Sequence, residues 1–290
     1  MKPAPFRYAR PRSLAEALAL LADAGSEAKV LAGGQSLVPM LNMRLVRAGV
    51  LVDLNGIPGL GDIAAAPDGG LAIGALTRHA DLAASPLVRQ RAPLLAHAAR
   101  HVGHQAIRNR GTLGGSLAHA DPAAELPAAL VALGGDVVLT SAQGSRAVSA
   151  ASFFLGLYST AVGAGEILTE IRVPAQGPGW GFAEVARRHG DFAVAGVAVV
   201  ARAAAGRPGR CDAAAIVGFG LGDRPVRLAP SEQVAAGAAL DADAAARAAA
   251  PAGPACDPPD DVHASSEYRR HLAAVLVERA LREAFDRLAA

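Results

Sequence analysis

Cysteine is nearly missing from this sequence: Cys211 and Cys256 are the only two in 290 residues, and no CxxC occurs. Two thiols cannot build a four-thiolate iron–sulfur site or a Cys-rich zinc site, so any metal cluster is expected on another chain. Aromatic residues make up only 4%, and alanine inflates the 52% hydrophobic fraction, so many apolar positions are simply small. Charge of one sign is also lacking. With 28 basic and 26 acidic residues the net charge is +2, too little to neutralise a row of phosphates, and nucleic acid is not an expected partner. No apolar run free of Gly, Pro and charge reaches the roughly 20 residues that a membrane helix needs. Lys2, Arg7, Arg10 and Arg12 precede the apolar stretch Leu14 to Ala22 in the order of a signal peptide, but Glu16 interrupts it. The Ser13–Glu16 spacing of a capping box, with Leu14, Leu18 and Leu21 on one face, reads instead as an amphipathic helix. A soluble cytoplasmic protein is the expectation. No nucleophile elbow or hydrolytic motif is present, and no residue is assigned a catalytic role.

The length suits two globular domains. Strands are expected at Phe6 to Ala9, Lys29 to Ala32 (buried), Val50 to Leu54 and Leu71 to Gly74, and helices at Ser13 to Ala24, Leu82 to Arg91 and Pro93 to Val102. A further helix is expected from Asp121-Pro122. This alternation reads as α/β material with a mixed sheet. From Asp136 the texture changes, with a hairpin of Asp136 to Thr140 and Ser145 to Ser149 and a strand at Ile167 to Val173. Gln176-Gly177-Pro178-Gly179 is the linker candidate. Beyond it, Gly181 to Arg187, Ala193 to Ala203 and Asp212 to Phe219 can form an antiparallel sheet. A last helix from about Ser266 would turn Leu272, Leu276, Leu281 and Phe285 inward.

Two double-glycine segments carry the chemistry. Leu31-Ala32-Gly33-Gly34-Gln35-Ser36-Leu37 lies between an apolar strand and a short helix, where paired glycines let main-chain amides approach a diphosphate. It is neither GxGxxG nor a P-loop, and taken alone such a segment is more often a plain turn. Arg108-Asn109-Arg110-Gly111-Thr112-Leu113-Gly114-Gly115-Ser116 is a second such loop, flanked by hydroxyls. Two loops converging on one ligand could hold both phosphates of a dinucleotide; Arg108 and Arg110 otherwise read as a solvated pair. Asp121 before Pro122 serves equally as a helix N-cap or a ligand contact, and Glu125 complements a helix dipole or accepts from a ribose or a ring. His97, His101 and His104 have no carboxylate or thiolate beside them in sequence, and read as partly buried or loop histidines rather than metal ligands. In Arg187-Arg188-His189-Gly190-Asp191-Phe192-Ala193, Phe192 is either a core residue at a hairpin corner or an aromatic lying against a planar ring.

On these segments, with Ile107-Arg108-Asn109, Asp121-Pro122, Glu125-Leu126-Pro127 and Gly190-Asp191-Phe192-Ala193, the chain resembles the FAD-binding medium subunit of the carbon monoxide dehydrogenase and xanthine dehydrogenase group of molybdenum hydroxylases. The resemblance runs over essentially the whole chain, more strongly before about Pro174. It implies an α+β fold: a two-part α/β FAD-binding domain of the vanillyl-alcohol-oxidase (PCMH) type over residues 1–175, then a smaller domain of antiparallel sheet plus helices over 180–290. It implies non-covalent FAD, with Leu31, Ala32, Gly33, Gly34, Gln35, Ser36 and Leu37 and Gly111, Thr112, Gly114, Gly115 and Ser116 about the diphosphate and ribityl region. Thr77 would add a polar contact, Val102 and Leu168 would lie along the cofactor, Asp121 and Glu125 would sit on its sugar or adenine side, and Arg187 and Phe192 would stand near the isoalloxazine.

The same resemblance implies a small Fe–S subunit and a large molybdopterin subunit as partners, and NAD, a quinone or oxygen as electron acceptor. Relatives often carry Tyr where this chain has Phe192, and Asn where it has Ser116. The rival readings are a free-standing flavin oxidoreductase with a polar pocket near Phe192, and a nucleotide-binding module without redox function.

Overall fold

Ser13 caps the first helix as its spacing to Glu16 requires, accepting from the Glu16 amide at 3.2 Å. The Glu16 carboxylate reaches back one residue further than the ideal box and takes the Arg12 amide at 2.9 Å. In the computed structural model, which describes residues 1–290, this helix is α1 (Leu14–Ala24), ended by Gly25 at φ +52°. It covers one face of a small parallel sheet of β1 (Arg7–Ala9), β2 (Ala28–Leu31) and β3 (Val50–Asp53), ordered β1-β3-β2. Helix α2 (Leu37–Asn42) covers the other face, where Leu41 packs with Leu51. Strand β2 was expected to be buried. It is an edge strand with Lys29 and Val30 turned outward, because β3 alone has neighbours on both sides.

A second, wholly antiparallel sheet follows, of β4 (Ile63–Ala65), β5 (Leu71–Gly74), β6 (Asp136–Ser141), β7 (Gly144–Ser149) and β10 (Ile167–Val173), ordered β4-β5-β10-β6-β7. A small hairpin of β8 (Phe154–Gly156) and β9 (Ser159–Thr160) precedes β10. The single mixed sheet expected from sequence is therefore two sheets. The helices between β5 and β6 form a separate layer that carries the chain across β10, since β5 and β6 are each antiparallel to it and so run the same way: α3 (His79–Ala84), α4 (Pro86–Arg91), α5 (Pro93–His101), α6 (Gln105–Arg108), α7 (Leu113–His119) and α8 (Glu125–Leu133). The expected helix from Leu82 to Arg91 is split into α3 and α4. Pro86 has no amide to continue the ladder, and Ser85 accepts from Val88 to start a new helix. Helix α9 (Ala150–Phe153) links β7 to the hairpin.

The chain then forms an antiparallel sheet of β11 (Trp180–Ala186), β12 (Ala193–Ala203), β13 (Cys211–Phe219) and β14 (Val226–Arg227), with α10 (Ala229–Ala235), α11 (Ala242–Ala249) and α12 (Ser266–Ala289). Leu272, Leu276, Leu281 and Phe285 of α12 are buried as their spacing predicts. The all-buried α8 joins this sheet to the preceding part, since Leu126 and Leu130 share a core with Ala198, Val217 and Phe219.

Candidate functional site

The turn between β2 and α2 leaves five consecutive amides, Gly33 to Leu37, with no acceptor in the protein. Gly34 stands at φ +73°, a conformation that glycine adopts without strain, and its carbonyl takes the Val38 amide to close the turn at 3.0 Å. Half-buried donors in a row without partners are able to receive an anion.

The second glycine segment abuts the first. A Cβ on Gly33 would stand 2.3 Å from the Arg110 carbonyl oxygen and 2.8 Å from Gly111 Cα, so only glycine permits the approach. A Cβ on Gly115 would lie 3.7 Å from Ala32 Cβ. Gly114-Gly115, however, is not a loop but the first turn of α7. Its amides are spent inside the protein: Gly114 donates to Ala75 O at 2.8 Å, Gly115 to the Thr112 hydroxyl at 3.1 Å and Ser116 to Thr112 O at 3.0 Å. The expectation of two equivalent amide loops is thereby corrected. Gly114 is small because Ala75 lies against it, with a Cβ placed 2.5 Å from the Ala75 methyl.

Thr77 is buried behind this junction, donating to Gly61 O at 3.1 Å and accepting from the Leu113 amide at 2.9 Å. Leu168 is a buried core residue on β10, and its neighbour Thr169 accepts the Ala75 amide at 3.0 Å. His79 is buried with neither ring nitrogen hydrogen-bonded, directly against Gly111; burial pushes its pKa down to about 4 and keeps it neutral. Asp121 is not the N-cap of α8, which begins at Glu125 after Ala124; its carboxylate accepts from the Ala123 amide in the turn before the helix. Glu125 is buried at the start of α8, and burial, with Glu184 and Asp121 nearby, pushes its carboxyl up to about 8.

Val102 ends α5, and Arg108 is engaged rather than solvated, donating to Gly103 O at 2.6 Å and Val102 O at 3.2 Å. The turn between β11 and β12 rests on the same end of α5, since a Cβ on Gly190 would stand 2.5 Å from the His104 ring. Phe192 on that turn is 73% exposed, so it is not a core residue, and Arg187 beside it is exposed too. His97 and His101 form a small cluster under β11. Their Nε2 atoms are 3.4 Å apart, and His101 Nδ1 meets a Glu184 carboxylate oxygen at 2.9 Å. His104 lies exposed in the following loop.

Two residues that the sequence did not single out reach both glycine segments. Asn55 Nδ2 donates to Ala32 O at 2.8 Å, and Asn55 Oδ1 accepts from Arg78 at 2.6 Å. Arg78 also donates to the Arg110 carbonyl oxygen. Asp53 anchors Asn55 through its amide at 2.9 Å, and accepts from the Tyr8 hydroxyl at 2.5 Å. Burial alone would raise the Asp53 pKa, but these donors outweigh it and hold the carboxylate below its ordinary range. Nothing in the spacing of residues 53, 55 and 78 marks them.

Residues 4–176 match the family described as the FAD binding domain in molybdopterin dehydrogenase, and residues 180–284 the carbon monoxide dehydrogenase flavoprotein C-terminal domain. The chain belongs to the FAD-binding medium subunits of molybdenum hydroxylase-type complexes. Such medium subunits include the carbon monoxide dehydrogenase medium chain of Hydrogenophaga pseudoflava, 39% identical with 100% of both chains covered. The 6-hydroxypseudooxynicotine dehydrogenase complex subunit alpha of Paenarthrobacter nicotinovorans is 43% identical over 99% of this chain and 97% of its own. A solved carbon monoxide dehydrogenase from Hydrogenophaga pseudoflava superposes with a TM-score of 0.95 at 39% identity over 99% of each chain. Quinoline 2-oxidoreductase from Pseudomonas putida 86 does so with 0.95 at 38% identity over 100% of each. The family is one of oxidoreductase subunits that carry FAD, with the further cofactors on partner subunits. No helix is long and apolar enough to cross a membrane.

Proposed function

We propose that this subunit binds FAD with its diphosphate on the Gly33 to Leu37 amides, and relays electrons from an Fe–S-bearing small subunit to NAD, a quinone or oxygen. A large molybdopterin subunit would hydroxylate the substrate. The observation that carries the reading is the run of unpartnered amides closed on one side by Arg110-Gly111. A dinucleotide diphosphate satisfies those donors without needing a Lys-Ser/Thr loop. Ser116 supplies a hydroxyl from the second segment, where the amides are already used. FAD, when bound, accepts electrons one at a time and gives them up in pairs; the protein's share is to bind, orient and shield.

Leu31, Ala32, Gly111 and Thr112 form the walls of this cradle, with Thr77 and Leu168 packed behind it. Val102, Asp121, Glu125, Arg187 and Phe192 would line the remainder, at the end of α5, the start of α8 and the exposed β11–β12 turn. The first domain would take the FAD and the second, from about residue 180, would close over its ring end. Two buried free thiols fit work in a reducing cytoplasm.

The test is flavin content and reducibility. Purified wild-type chain should be yellow, hold one FAD, and have that FAD reduced on addition of the reduced Fe–S partner. Gly33→Ala should lose the cofactor, since its Cβ cannot fit beside Arg110 O. A colourless wild-type chain that takes up no added FAD would overturn the proposal.

A further inference from the structure

Arg78 is a half-buried cation without a carboxylate partner: no Asp or Glu oxygen lies within 4 Å of its guanidinium, and only the neutral oxygens of Asn55 and Arg110 accept from it. Desolvation, then the charge of Arg110, pulls its pKa below the ordinary arginine value, and the more distant carboxylates of Asp81 and Asp53 offset this only in part. A half-buried charge with no direct counter-ion is costly, and an anion arriving from outside would relieve that cost. The place from which it would arrive is set by the geometry. The Arg110 carbonyl oxygen that accepts from Arg78 is the same atom that excludes a side chain from Gly33, so the guanidinium stands at the seam between the two glycine segments. Asn55 repeats the link on the other side, from Arg78 to Ala32 O, the residue before the free amides.

We propose that Arg78 and Asn55 are positioning residues for a diphosphate: Asn55 sets the Ala32–Gly33 main chain against Arg110-Gly111, and Arg78 supplies the fixed positive charge that the uncharged amides lack. This rests on the reading of the cradle as the FAD diphosphate site, but narrows it to two side chains that no glycine motif contains. The alternative is a rivet that merely holds the fold. A rivet and a positioning pair differ in their response to salt, to a charge-keeping substitution and to the ligand's phosphates.

The full chain, stripped of flavin, is titrated with FAD, ADP and inorganic pyrophosphate, and the melting of the stripped chain is recorded alongside. Losing a charge-assisted hydrogen bond costs about tenfold or more in affinity. Arg78→Ala should weaken FAD and ADP by at least about that factor and flatten the salt dependence of binding, with the melting temperature of the stripped chain nearly unchanged. Arg78→Lys should restore the salt dependence but only part of the affinity, because an ammonium keeps the charge and loses the two-pronged grip. Asn55→Ala should weaken FAD while leaving the salt dependence in place, and should shift the phosphorus resonances of bound FAD.

Variants that bind FAD as tightly as wild type overturn the inference. So does a loss of affinity that only tracks a lower melting temperature, which would make the pair a rivet. If wild type binds ADP and pyrophosphate through Arg78 but not FAD, the flavin reading fails and this one stands; if it binds none of the three, both fail.

Discussion

At the scale of single residues, the glycines divide into two kinds that the sequence writes identically. Gly33-Gly34 frees amides by turning the chain, whereas Gly114-Gly115 spends its amides and is small so that helix and strand can touch. The first kind leaves donors open and the second serves packing, and only the hydrogen-bond partners tell them apart. Glu125 offers a prediction of its own. Its carboxyl is held near 8 when folded against an ordinary 4.5, so between those values the folded chain keeps a proton that the unfolded chain releases. Stability should therefore fall as pH rises from about 4.5 to 8 and level off above it. Compared with Glu125→Gln, stripped wild-type chain should lose ground steadily in melting temperature between pH 5 and pH 8. Parallel curves for the two proteins would show that Glu125 is already ionised at neutral pH.

Among the elements, boundaries were set by local chemistry wherever that chemistry was strong. Ser13 and Gly25 delimit α1 in sequence and in structure, and the spacing of Leu272, Leu276, Leu281 and Phe285 gave the inner face of α12. Where a helix start was read from Asp121-Pro122, the structure has a turn instead. Pro122 lends its carbonyl to the Gly220 amide of the second sheet, and the helix begins three residues later. The docking of α12 depends on a glycine that no motif marks. A Cβ on Gly181 would stand 1.8 Å from Ala280 O, a backbone atom that cannot swing aside. Gly181→Ala should force α12 away from β11 and cost on the order of 2 kcal/mol or more, read as a lower urea midpoint. A midpoint equal to wild type would mean that the helix does not press on the strand there.

For the molecule as a whole, the two family regions meet through α8, whose side chains lie in one core with residues of β12 and β13. A shared apolar core couples the halves, so calorimetry on the stripped chain should give one cooperative transition and not two, and bound FAD should raise it as a unit. Two separated peaks would mean that α8 belongs energetically to the first half alone. The sequence by itself determined the family, which its two double-glycine segments carried. The order of glycine segments, hairpin and C-terminal helix also carried the family, because local propensities and turn chemistry act over a few residues. Tertiary structure alone decided which glycines leave their amides free, that β2 is an edge, that the first half holds two sheets and not one, and that Asp53, Asn55 and Arg78 meet at the cradle. Most of those outcomes depend on contacts between residues far apart along the chain, and spacing does not record which distant carbonyl a side chain will find.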